Sequence, residues 1–205
     1  MTLKTFKPYT KSTRGTVIVS REGVWKGKPI KALTFGKKSS AGRNNLGRIT
    51  SRRRGAGHKQ SYRIIDFFRN KQNVTSTVER IEYDPNRTCN IMLMKYDDGE
   101  KSYMLAPQKI KVGDKIISGN NKEIKIGNCM PLQDIPVGTA IHNVELTPGA
   151  GGKIARAAGT SVQISGSDGE YSIIKLASGE IRKILNKAKA TIGVLSNPDQ
   201  KNLKV

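Results

Sequence analysis

Apolar residues in this chain come in short runs with strand-like alternation, each closed by turn residues, and no stretch repeats with the period of a helix. Runs at 62–68, 76–83, 90–96, 102–106 and 115–118 predict about five strands within some 65 residues. Asp98-Gly99 lies between two of these runs and predicts a tight hairpin. Asp84-Pro85-Asn86 reads as a turn, because proline cannot extend a ladder and Asp and Asn favour tight reversals. Five short strands of this spacing suit a small barrel of the oligonucleotide-binding type.

After Gly127-Asn128, with Pro131 and Pro136 marking the passage, a second set of runs begins at 140–146, 161–165, 171–176, 180–184 and 189–195. Turns are predicted at 166–169 and at Ser178-Gly179, giving a meander suited to a small SH3-like barrel. Its interruption, Pro148-Gly149-Ala150-Gly151-Gly152-Lys153, is expected to protrude, and the polar residues after Asn197 are expected to leave the barrel. The first 60 residues contain one short strand-like run, Thr16-Val17-Ile18-Val19, and otherwise basic and turn residues. The expected organisation is therefore all-β: an extended basic arm at 1–60, an OB-fold barrel at 61–129, an SH3-like barrel at 130–197 and a polar tail at 198–205.

Composition agrees with small cores, since 36% of the 205 residues are apolar but only 5% aromatic. Charge changes the picture more. Residues 1–71 hold 19 Lys or Arg against Glu22 and Asp66, a balance of +17, whereas residues 72–205 hold 18 against 14 acids, a balance of +4. A segment so one-sided repels itself when compacted unless a polyanion neutralises it. With so few aromatics, phosphate contact and counterion release are the main source of affinity and base stacking is secondary. A basic membrane-surface protein would need an amphipathic helix, which the glycines between Gly15 and Gly57 forbid. No apolar run approaches the ~20 residues that span a bilayer, and the first 20 residues lack an apolar signal core.

The most informative segment is 42–59. Its glycines let backbone approach a phosphate ladder while Arg43, Arg48, Arg52, Arg53, Arg54 and Lys59 neutralise it. Asn44 and Asn45 add sugar or base-edge contacts, and His58 a hydrogen bond to RNA or backbone. The bland alternative, a disordered basic tail, is weakened by the strand-like run that follows at Tyr62. Gly42-x4-Gly47-Arg48-Ile49 is no nucleotide-binding P-loop, because Arg48 and Ile49 replace the lysine and the hydroxyl. Gly151-Gly152-Lys153-Ile154 fails in the same way and is read as a loop pressed on RNA backbone, with a plain flexible turn as the alternative. Arg63, Arg69 and Lys153 complete the cationic candidates. Arg87 and Arg156 each follow a turn or a glycine-rich element in a near-neutral region. Two readings stand for them: specific RNA contacts, or surface arginines paired with an acid such as Glu82 or Asp84.

Catalysis finds no support. His58 and His142 lie in no Ser, Cys or carboxylate constellation, and Asp97, Asp98 and Glu100 crowd a hairpin tip where a solvated turn is the natural reading. Cys89 and Cys129 lack metal-ligand spacing and read as ordinary thiols. No metal and no cofactor is expected.

Several stretches taken in order resemble a known family, the universal large-subunit ribosomal protein two in its bacterial form. They are Gly42-Arg43-Asn44-Asn45-x-Gly47-Arg48-Ile49-Thr50, Gly57-His58-Lys59-Gln60-x-Tyr62-Arg63-Ile64-x-Asp66-Phe67, Glu79-Arg80-Ile81-Glu82-Tyr83-Asp84-Pro85-Asn86-Arg87, Leu105-Ala106-Pro107, His142-Asn143-Val144-Glu145 and Ala155-Arg156-x-Ala158-Gly159-Thr160. The resemblance covers nearly the whole chain. It implies an oligonucleotide-binding barrel and an SH3-like barrel on large-subunit ribosomal RNA, an N-terminal extension threaded among RNA helices, and neighbouring ribosomal proteins as partners. It also implies RNA-binding roles for Arg87 and Arg156, support of subunit joining, and shaping of the RNA around the peptidyl-transferase centre. Family members continue into a basic C-terminal extension whereas this chain stops at Val205, so a separate chain supplying it, a loss and an incomplete sequence are the alternatives. Lysine outnumbers arginine 24 to 13, which with that ending points to a mitochondrial ribosome, bacterial cytoplasm being the alternative. Against the ribosomal reading stand a free single-strand RNA-binding module and an RNA-modifying enzyme.

Overall fold

The computed structural model describes residues 3–55 and 57–204. The chain is all-β, as the alternation requires, and helix among the described residues is confined to three short 3-10 turns, at Lys31–Leu33, Leu132–Asp134 and Pro198–Asn202. In chain order the strands are β1 (Leu3–Thr5), β2 (Val17–Val19), β3 (Thr34–Lys37), β4 (Gln60–Arg63), β5 (Thr75–Glu82), β6 (Ile91–Tyr96), β7 (Lys101–Leu105) and β8 (Lys115–Ile117). They continue as β9 (Cys129–Pro131), β10 (Ala140–His142), β11 (Val144–Glu145), β12 (Gly152–Ile154), β13 (Val162–Asp168), β14 (Tyr171–Lys175), β15 (Ile181–Leu185) and β16 (Lys189–Ile192).

The first barrel is built on the antiparallel sheet β7-β6-β5-β8, and Ile65 adds a parallel bridge to Tyr103 beside β7. Its central strand explains the uninterrupted apolar run Ile91-Met92-Leu93-Met94, because both faces of β6 are buried. The two-residue period sorts them: Ile91 and Leu93 join Ile65, Cys89, Tyr103 and Leu105 in one cluster, while Met92, Met94 and Tyr96 join Val78, Met104 and Ile116 in another. The hairpin at Asp98-Gly99 forms as expected, with Gly99 at φ +86°.

The second barrel is the antiparallel sheet β15-β14-β13-β10-β16-β9. Ile141, Val162, Ile164, Ile174, Ile184 and Ile192 alternate inward with Met130 and Leu132, so this core rests on branched aliphatics without aromatic help. The two barrels share their packing: Leu195 and Ala158 from the second pack into the Ile91–Leu93 cluster of the first. Pro107 bridges Leu195, and Gln108 N–H donates to Val194 O at 2.7 Å.

Several expectations need correction. The first 60 residues are not simply an extended arm: β1 pairs with β2, Ile30 and Leu33 pack on the first core, and Ile30 N–H donates to the Tyr103 hydroxyl at 3.0 Å. Backbone pairing and two anchored side chains tie that segment down despite its charge. The run at 140–146 is broken at Asn143, whose φ of +49° separates β10 from β11. The turn expected at 166–169 contracts to Gly169-Glu170, since β13 bulges between Ile164 and Gly166 and runs on to Asp168, which pairs with Tyr171. The glycine-rich insert does not stand clear of the barrel. Gly151 and Gly152 are buried, and Gly152 N–H donates to Phe67 O at 3.0 Å. The end of the described chain is tied to the N-terminal segment and the first barrel: Lys204 and Val17 exchange both backbone hydrogen bonds at 2.9 Å, and Asn197 Nδ2 donates to Thr88 O at 2.7 Å.

Candidate nucleic-acid interface

Strands β3 and β4 pair in register from Thr34 opposite Arg63 to Lys37 opposite Gln60, so the basic segment is a long loop held at both ends by a two-stranded ribbon. From Gly23 to Ile65 the sequence holds 12 Lys or Arg and no acid. Within the loop, residues 42–51 fold on themselves. Asn44 N–H donates to Arg48 O, Thr50 N–H and Ser51 N–H to Gly42 O, and Gly47 N–H to Asn44 O. The Asn44 side-chain oxygen accepts from the N–H groups of Leu46 and Arg48 at 3.0 and 2.9 Å, and Arg43 Nη1 donates to Gly47 O at 2.8 Å.

This folding changes how the glycines are read. Most of the amides of residues 43–51, that of Gly47 among them, are spent inside the loop, which leaves the exposed guanidinium groups as its main donors. Gly42 is required by conformation: its φ is +73°, and a Cβ there would lie 2.2 Å from Ser51 O. Asn44 is a loop organiser through its oxygen, whereas Asn45, Arg48, Arg52, Arg53, Arg54, His58 and Lys59 lie exposed around it. None of these arginines, nor Lys59, forms an ion pair among the described residues.

The ribbon is fixed to the barrel through Asp84, whose side chain is fully buried. Its carboxylate accepts from Arg87 Nε, from Asn86 N–H at 2.9 Å and from Asn86 Nδ2 at 3.0 Å, with Arg63 Nη1 at 3.7 Å. Asn86 Nδ2 and Arg63 Nη1 also donate to Ser61 O on β4, at 2.7 and 2.9 Å. Arg87 is thus paired with Asp84, one of the acids weighed for it, and its guanidinium lies 5.7 and 5.9 Å from the ring centres of Tyr62 and Phe67.

Arg156 is exposed on the loop that follows β12. Its guanidinium lies over Phe67, and the loop is pinned to the first barrel by Ala158 N–H on Thr88 Oγ1 at 3.0 Å. The carboxylate of Glu145 organises the glycine-rich turn before β12, accepting from Gly149 N–H at 3.2 Å, Gly151 N–H at 3.1 Å and Lys189 N–H at 3.0 Å. Those amides are therefore not offered to phosphate either, and Lys153 is the exposed cation of the segment.

Arg69 is a correction. Only 3% exposed, it points into the junction of the barrels, where Nη2 donates to Gly127 O at 3.3 Å, and it cannot reach a backbone outside. Its basic neighbours in sequence concealed a loop position between β4 and β5 at which the backbone takes φ +52°. Sequence reasoning missed the aromatic and cationic residues that flank the loop: Phe35 and Tyr62 on the ribbon, Lys37 beside them, and Arg21 over the Tyr83 ring at 3.7 Å. The available signal was symmetry about the loop, with Phe35-Gly36-Lys37 alternating on one side and Gln60-Ser61-Tyr62 on the other.

Among the described residues, the histidine, thiol and carboxylate groups weighed for catalysis are held apart from one another. His142 is buried, with Nδ1 donating to Gly193 O at 2.7 Å, and burial holds its pKa down at about 4. Both cysteines are buried free thiols with raised pKa values, Cys89 at about 11 through desolvation. Asp98 and Glu100 at the hairpin tip are held by Lys71.

Comparison with known proteins places these features in a family context. The family model described as "Ribosomal Proteins L2, RNA binding N-terminal domain" matches residues 30–118, and "Ribosomal Proteins L2, C-terminal domain" matches residues 125–205. A protein of Pelagibacter ubique named large ribosomal subunit protein uL2 is 69% identical over the whole chain, which covers 73% of it. Proteins of the same name from Granulibacter bethesdensis and Rickettsia canadensis are each 60% identical over the whole chain, which covers 74% and 75% of them.

Proposed function

The chain belongs to the ribosomal protein L2 family, a structural constituent of the large subunit and not an enzyme, and from that premise we propose how it binds ribosomal RNA. The observation that carries the reading is the closed basic loop on β3 and β4. It is acid-free, its arginines are without ion pairs among the described residues, and most amides of its 43–51 turn are already satisfied, so its unmet demand is for anions. Arg43, Asn45, Arg48, Arg52, Arg53, Arg54, His58 and Lys59 form the anchoring surface on large-subunit RNA. Arg63, Arg87, Lys153 and Arg156 extend it across the junction of the barrels, with Asn44 shaping the loop. Arginine suits this task because its planar fork addresses phosphate oxygens in pairs.

In this reading the two barrels are the frame. They share packing through Leu195 and Ala158, so an RNA surface that touches both is held at fixed spacing. The resemblance to the family adds that this binding supports subunit association and the RNA around the peptidyl-transferase region, with neighbouring ribosomal proteins sharing the same RNA. The named relatives are bacterial, which favours a ribosome of the bacterial cytoplasm over a mitochondrial one.

Titrating the chain against large-subunit ribosomal RNA over a range of salt tests the reading. If six or more phosphates are engaged, affinity falls on the order of 10³-fold or more between low and moderate salt. A flat response, or equal affinity for unstructured single strands, overturns it, the second result favouring a free single-strand module.

A further inference from the structure

The ribbon that carries the basic loop bears an aromatic pair that charge neutralisation does not require. Phe35 on β3 is registered opposite Tyr62 on β4, their ring centroids 5.1 Å apart at an angle of 44°. The pairing accounts for the contact between the rings, as cross-strand neighbours on one face of a ribbon. It does not account for Phe35 being left 52% exposed, since an apolar ring kept only to staple two strands gains most by burial. Around the pair stand cations: Lys37 Nζ is 5.9 Å and the Arg87 guanidinium 5.7 Å from the centre of the Tyr62 ring.

We propose that Phe35, backed by Tyr62, is a stacking platform for one unpaired base of the bound RNA, with Lys37 and Arg87 holding the phosphates beside it. The inference rests on the RNA reading above and deepens it by adding a base contact to an interface otherwise made of charge. Charge decides the occupant. The platform sits in the acid-free stretch from Gly23 to Ile65, so an approaching surface must bring negative charge together with a flat apolar face, and a splayed-out nucleotide brings both. The platform is also rigid. Asn86 and Arg63 tie β4 to the Asp84 turn that carries Arg87, so ring and guanidinium keep their spacing without the RNA.

The test is ultraviolet cross-linking of the chain bound to large-subunit ribosomal RNA, with peptide mapping, alongside affinities of Phe35→Leu and Phe35→Trp. Stacking predicts a nucleotide adduct on the peptide containing Phe35 or Tyr62. It predicts that Phe35→Leu weakens binding about 5- to 150-fold with the salt slope unchanged, because the lost contact is not ionic, and that Phe35→Trp binds at least as well as the parent. Amide exchange of β3 and β4 shows whether the ribbon persists in each variant. Should leucine fray it, the tryptophan variant decides, and a loss of affinity there with the ribbon intact overturns the proposal. No adduct, or Phe35→Leu within twofold of the parent while the parent shows a steep salt slope, overturns the platform and leaves the RNA reading standing. A flat salt slope in the parent removes both.

Discussion

Arg87 and Arg156 stand over the same ring: their guanidinium groups lie 5.9 and 4.4 Å from the centre of Phe67, one reaching it from the first barrel and the other from the second. The two arginines are therefore one positive edge across the junction. Their surroundings differ in a way that sequence did not disclose. Arg87 is the main partner of the fully buried Asp84, whereas Arg156 has no carboxylate partner among the described residues. Arg156→Ala is expected to weaken RNA binding about tenfold, to reduce the salt slope by about one, and to leave the melting temperature nearly unchanged. Arg87→Ala is expected to weaken binding and also to destabilise the fold by about 1–3 kcal/mol, because Asp84 is left buried with weaker partners. Thermal melts alongside RNA titrations check this. Equal melting losses in the two variants would contradict the assignment.

The glycine at the start of the basic loop gives a second prediction. Gly42→Ala puts a methyl group into a position with φ +73° and 2.2 Å from Ser51 O, so the turn that Asn44 organises has to open. The loop packs in neither core, so the melting temperature is expected to hold within a few degrees while RNA affinity falls at least tenfold. Gly47 also has a positive φ, of +77°, but nothing lies within 4 Å of its Cβ position, and alanine there is expected to cost less. An affinity order in which Gly47→Ala is the worse variant would show that the shape of the loop is not what RNA reads.

Much of the fold was legible because its cores obey simple periods. The alternation in Ile91-Met92-Leu93-Met94 forces two faces and two clusters, and Asp98-Gly99 sets a hairpin by backbone preference alone. What stayed hidden were contacts between distant segments with no local signature. Nothing around Lys204 announces a bridge to Val17, and nothing in Gly151-Gly152 reveals that Glu145 and Phe67 receive their amides. The basic loop was legible as chemistry and misread as geometry. Its charge was plain, but the pairing of β3 with β4 spans 22 residues, too far for a turn signal to betray. Arg69 was misjudged for the same reason, since a cation in a basic stretch looks exposed until the residue is seen to be buried.

Thiol chemistry offers a third check on the packing. Cys89 is buried with its Sγ directed at Arg156 O, at 3.4 Å, and Cys129 is buried between the barrels. Desolvation raises both thiols, Cys89 to about 11, so the thiolate needed for attack is scarce near neutral pH. The folded chain is expected to react with a thiol-specific disulfide reagent at least 100-fold more slowly than the chain in denaturant, where two thiols per chain appear. Rapid labelling of Cys89 in the folded state would mean that the loop bearing Arg156 opens readily and that the shared edge is not preformed.

The last prediction concerns pH, and its sign follows from where the proton sits. His142 is 1% exposed on β10, its Nδ1 donates to Gly193 O, and burial, opposed by that hydrogen bond and reinforced by Arg69, lowers its pKa from 6.5 to about 4. Between those two values the unfolded chain takes up a proton that the folded chain refuses, so acid favours unfolding. The contribution is fully present above about pH 6.5 and is lost as pH falls toward 4, reaching about 3 kcal/mol at the bottom of that window. Carboxylates add to the effect near the lower end, which leaves pH 6.5 to about 5 as the interval in which His142 dominates. Denaturant midpoints measured across that interval are expected to fall with pH in the parent and to stay level in His142→Gln, whose amide can still donate to Gly193 O. The comparison separates this site from His58, which lies exposed in the basic loop. If the parent and His142→Gln lose stability with the same slope, the neutral buried imidazole is not what couples the second barrel to pH.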